Sequence, residues 1–102
     1  MMEFNKKDIE EACERCNIPL QMRGGIARYL CQRIAPGHFL RAVFENDLLD
    51  SISRADDGNR AAIESYARFL YNEMPIRGTK GAPWGSPYAV DQWLAGGQND
   101  GK

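Results

Sequence analysis

The sequence predicts an all-α fold: a compact bundle of about five helices, with a long Gly/Pro-containing loop before the last helix. Three observations lead there. Apolar residues recur at helical spacing along most segments, and no stretch shows the strict alternation of a half-buried strand. Capping residues and prolines stand where those segments should start and stop. The 102 residues, 43% hydrophobic and 26% charged, have the size and mixture of one domain around one core. That single domain is expected over residues 1–95, with 96–102 as a flexible polar tail.

Each element has its own justification. Asn5, with Asp8 three residues on, reads as a helix cap, and the following segment sets Ile9, Ala12, Cys13 and Cys16 on one face. Asn17 can end it. Pro19 suits the first turn of a second segment reaching Ile34, with Met22, Ile26, Tyr29, Leu30 and Ile34 to one side. Gly24 and Gly25 interrupt that pattern, and each costs roughly 1 kcal/mol in a helix interior. Either the helix starts after them, or a neighbouring backbone comes close. Beyond the Ala35–Pro36–Gly37 turn, residues 38–45 are apolar almost all round, the pattern of a central helix. Asn46–Asp47 can cap a short helix carrying Leu48, Leu49 and Ile52.

A turn at residues 55–59 leads to an expected helix over 59–73. Its stripe is Ile63, Tyr66, Ala67, Leu70 and Met74, and its wet side carries a charge ladder of Arg60, Glu64 and Arg68. Pro75 ends it. Residues 76–85 form the loop. Ser86–Pro87 then reads as a cap and first turn of a last helix to Ala95, presenting Val90, Trp93 and Leu94. The expected core is Phe39, Val43, Phe44, Ile63, Tyr66, Leu70 and Trp93.

Net charge is −1, which gives no sign of nucleic acid or a membrane surface as partner. The distribution is less even. From Pro19 to Ala42 there are four arginines, one histidine and no acid; from Glu45 to Asp57 there are five acids against Arg54. No apolar run approaches a membrane span, and the N-terminal stretch is charged rather than signal-like. Three cysteines are an odd count and a poor disulfide framework, which places the chain in a reducing cytoplasm.

Candidate chemistry is sparse. Cys13, Cys16, Cys31 and His38 have the residue types of a zinc site, but the first two share the apolar stripe with Ile9, where a thiol packs as a small hydrophobe. Arg23–Gly24–Gly25 is an anion-seat candidate if a helix begins there, because free N–H groups would then face a phosphate. Arg23, Arg28 and Arg33 are five apart and do not share a helical face, so they make no nucleic-acid stripe. The long loop carries Arg77, Lys80 and Trp84, residue types that dominate binding hot spots. Trp84 and Trp93 serve equally well as core anchors. His38 has no evident nucleophile partner, and no catalytic residue, metal or cofactor is assigned.

Met22–Arg23–Gly24–Gly25, the run from Pro36 to Val43, and Asn46–Asp47–Leu48 together resemble a family of short proteins of tailed bacteriophages and prophages. So do Ala55–Asp56–Asp57 with Asn59, Tyr71–Asn72–Glu73–Met74–Pro75, and Trp84–Gly85–Ser86–Pro87 with Val90 and Trp93. The resemblance covers about residues 18–94 and leaves out Cys13 and Cys16. It implies a phage-derived protein in a bacterial cytoplasm. Such proteins often bind and redirect a host protein or block a defence system.

The leading expectation is therefore a non-enzymatic binder that modulates a host protein complex, an anti-CRISPR-type inhibitor among the possibilities. Its contact surface would combine the arginines of the second segment, Arg23 and Arg28 with Gly24 and Gly25 foremost and Arg33 with them, with Arg77, Lys80 and Trp84. The alternative is a nucleotide or nucleic-acid binder seated on Arg23–Gly24–Gly25. Neither involves a membrane, and the oligomeric state is left open.

Overall fold

The computed structural model describes residues 2–99. They form seven α-helices and no strand: α1 Lys6–Arg15, α2 Leu20–Gln32, α3 His38–Phe44, α4 Leu48–Arg54, α5 Asp57–Ala61, α6 Ile63–Glu73 and α7 Pro87–Asn99. None is long and apolar enough to cross a membrane.

Local chemistry sets most boundaries. The Asn5 side chain accepts hydrogen bonds from the Lys7 and Asp8 N–H groups, and Asp47 accepts from Asp50 in the same way. Three helices end alike. Asn17, Arg33 and Asn46 take left-handed backbone (φ 59°, 58° and 64°), and the next N–H bonds back across the last turn. Asparagine tolerates that conformation; arginine needs support. Arg33 receives it from Trp93, whose ring its guanidinium covers at 3.7 Å. The left-handed residue also turns the chain away before Ile34, which is exposed rather than part of the α2 stripe.

The Gly24–Gly25 question resolves in favour of one continuous helix, since α2 runs straight through both. The close neighbour at Gly25 is a side chain, not a backbone: a Cβ there would stand 3.1 Å from Leu40 Cδ1 of α3.

Helix α3 is central, with Phe39, Leu40, Ala42, Val43 and Phe44 all buried. Around it pack Tyr29, 4.5 Å from the Phe44 ring, and Tyr66, edge-on to Phe39 at 5.1 Å. The expected core is buried except for Ile63, which is only partly covered. Phe69, not foreseen, joins it, whereas Ala67 of the expected stripe is exposed.

The expected 59–73 helix is two helices. Asp56 caps α5 by accepting from the Asn59 N–H at 2.7 Å, and the chain breaks at Ala62. Across the break Asn59, a buried polar side chain, accepts through Oδ1 from the Tyr66 hydroxyl at 2.7 Å. Arg60 thereby leaves the charge ladder and binds Asp57 and the Ala55 carbonyl, while Arg68 keeps Glu64 at 3.4 Å. Helix α7 continues past the expected end at Ala95 to Asn99; what was expected of residues 100–102 lies outside the described residues.

Candidate functional site

The loop between α6 and α7 is fastened at its base and open at its tip. Trp84 Nε1 donates to the Pro75 carbonyl at 2.7 Å, tying the loop's two ends together. The buried Tyr29 hydroxyl donates to Pro83 O at 2.7 Å, and the Gly85 N–H donates to Phe44 O at 2.8 Å. Residues 82–85 are accordingly buried, while 76–81 are exposed. Two tight turns, closed by Thr79 onto Ile76 and Ala82 onto Thr79, shape the tip, and Gly78 and Gly81 supply its positive φ angles.

This fastening answers the question posed by Trp84. It is 5% exposed with its N–H satisfied, so it anchors the loop from within instead of standing out as a contact residue. Trp93 is likewise buried, donating to Tyr29 O at 2.8 Å. Arg77 and Lys80 are exposed, as their expected role requires.

Between the loop tip and α7 lies an open groove of about 990 Å³. Among the described residues its charged lining side chains are Arg33, Arg77 and Lys80, with no acid. Trp84 and Trp93 contribute to the wall, and Tyr88 stands exposed at the rim. Arg33 is held in place by the Trp93 ring, the Trp93 carbonyl and the Met2 carbonyl. A side chain at Gly96 would collide with its guanidinium, so the bare glycine leaves the passage that Arg33 occupies.

The residues expected to form one contact surface are divided between two grooves. Arg33 alone of the second-segment arginines meets the loop. Arg23, Gly24 and Arg28 line a separate groove of about 260 Å³ with Lys6, Glu10 and Cys31. The anion seat there loses its premise, because Gly24 and Gly25 lie inside α2 and their region offers no free helix start. Arg23 is already engaged, donating through Nε to Ile18 O at 2.8 Å. Arg33 was expected at the contact surface as one of the second-segment arginines, and its contact with Trp93 sets it beside the loop. Sequence reasoning did not assign Tyr88 to a site, although it falls off the Val90–Trp93–Leu94 stripe.

Among the described residues no three His, Cys, Asp or Glu side chains converge as a metal site requires. Cys13 and Cys16 are core residues, and burial pushes the Cys13 thiol up to about 11. His38 is exposed at the start of α3, away from any such cluster.

No family model, curated protein or solved structure matches this chain.

Proposed function

We propose that this chain is a phage-derived, non-enzymatic binding protein that modulates or inhibits a host protein complex in the bacterial cytoplasm, an anti-defence inhibitor of the anti-CRISPR type being one form of that reading. The observation that carries the binding role is the groove of about 990 Å³ whose charged side chains, among the described residues, are all cationic. An acidic loop or segment of a partner protein complements it. Positive potential speeds encounter and selects the partner's sign, and Tyr88, exposed at the rim, supplies aromatic surface to bury. The anchored base favours this use, because a preformed loop costs less to order on binding. The phage origin rests on the residue strings described above.

A tagged wild-type chain and an Arg77→Glu/Lys80→Glu variant, each passed through bacterial lysate, test the reading. Reproducible enrichment of a host protein by the wild type, lost in the variant and weakened by salt, is the expected result. Equal enrichment by both chains, or none by either, overturns it.

A further inference from the structure

We infer that Arg33 is the residue that reads the partner, its guanidinium fork taking one carboxylate of an acidic protein segment laid in the groove. The inference rests on the binding role proposed for that groove and names the chemistry the groove selects.

The backbone gives the first reason. Asn17, Arg33 and Asn46 occupy the same left-handed position after three helices, with φ of 59°, 58° and 64°. Glycine and asparagine adopt that conformation readily, whereas a longer side chain is disfavoured there. Two of the three helix ends carry a residue the turn prefers. At the third, arginine stands against the local preference, so the position is kept for its side chain.

The side chain gives the second. The Arg33 guanidinium stands 3.7 Å over the Trp93 ring and donates to the Trp93 and Met2 carbonyls at 3.3 and 3.4 Å. Gly96 leaves it room. A guanidinium carries five N–H donors, and these contacts engage two. Every ion pair among the described residues belongs to another arginine, namely Arg15, Arg41, Arg54, Arg60 or Arg68. Fastening α2 to α7 needs donors but no charge. A half-buried cation held in place and lining the groove without an acid beside it is prepared for an oxyanion. Little side-chain freedom is lost when it binds, and the planar fork matches a carboxylate through two parallel bonds.

The surroundings favour an acidic protein segment over nucleic acid. Single strands need open aromatic faces on which bases stack. Trp84 and Trp93 are buried and Arg33 covers the Trp93 ring, so Tyr88 is the one exposed aromatic lining the groove among the described residues. The net charge of −1 also opposes a long polyanion.

Calorimetric titration of the whole chain with octaglutamate, capped at both ends, tests this, with an oligothymidylate of equal charge run alongside. The Arg33 Nε–H resonance is followed in the same titration, because a merely structural arginine would not shift. The wild type is expected to bind octaglutamate in a salt-sensitive manner, to shift that resonance, and to prefer the peptide to the oligonucleotide. Arg33→Asn supplies the residue that Asn17 and Asn46 already place in this turn. It is expected to keep its helicity and to bind about tenfold or more weakly. Arg33→Lys keeps the charge without the fork and is expected to fall between the two. Undiminished binding by Arg33→Asn, with binding lost in Arg77→Glu/Lys80→Glu, overturns the role of Arg33 and leaves the groove standing. Octaglutamate binding that is absent, or unchanged in all these variants, overturns the groove reading and this inference together. Full binding by Arg33→Lys overturns the fork, and tighter binding of the oligonucleotide overturns the choice of a protein segment.

Discussion

Tyr29→Phe isolates one hydrogen bond on which the groove depends. The Tyr29 ring is fully buried and lies 4.5 Å from Phe44, a contact phenylalanine preserves. Only the hydroxyl disappears, and with it the 2.7 Å bond to Pro83 O. Pro83 is also fully buried, so water does not replace the lost donor. An orphaned buried carbonyl costs about 1–3 kcal/mol. Taking about 2 kcal/mol, and about 4–8 °C per kcal/mol for a domain of this size, the melting point falls by roughly 8–16 °C. Urea titration gives the cleaner reading: a midpoint shift of about 1–2 M at unchanged slope, for a slope of about 1–2 kcal/mol/M. Tyr88→Phe, whose ring is exposed, is the matched control and should melt like the wild type. If Tyr29→Phe unfolds within about 0.3 kcal/mol of the wild type, the Pro83 bond does not hold the loop, and the account of its base is wrong.

Four further outcomes follow from the same structure. Gly24→Ala is expected to stabilise by about 0.5–1 kcal/mol, because the only close neighbour of its new methyl is the flexible Arg28 guanidinium, while Gly25→Ala gains less or loses because buried Leu40 must give way; paired urea curves check both. Gly96→Ala should displace Arg33 from the Trp93 ring, seen as a changed tryptophan emission and a weaker cationic groove in the lysate assay. Trp84→Phe is expected to cost about 1–3 kcal/mol by leaving the Pro75 carbonyl without its indole donor, measured by urea titration. Stability should fall as pH rises from about 9 towards about 11: the unfolded chain releases the Cys13 proton near the ordinary 9.0, whereas the folded chain holds it up to about 11. Cys13→Ala should flatten that fall when urea midpoints at pH 8 and pH 10.5 are compared.

What was legible in the sequence was what neighbouring residues decide. Asn5 caps α1, Asp47 caps α4, and the unbroken apolar run of α3 marks the centre, because each signal acts within a turn or two of itself. The break at Ala62 was hidden, since nothing in the run Arg60–Ala61–Ala62–Ile63 interrupts helical spacing. The burial of Trp84 was equally hidden, resting on one carbonyl nine residues away. The site was half legible. Arg77 and Lys80 sit on an exposed loop tip, as the glycines and charges of that stretch imply. Arg33 joins them only through the folding of α2 against α7, which no spacing rule along the chain records.

The division of the 75–86 loop into a strapped base and an unburdened crest has an evolutionary consequence. The bonds that hold the fold end at Pro75 and at residues 82–85, so substitutions from Ile76 to Gly81 leave stability nearly unchanged, provided Gly78 and Gly81 keep their turns. If the crest is the contact surface proposed above, divergence between kindred chains gathers there while the straps stay fixed.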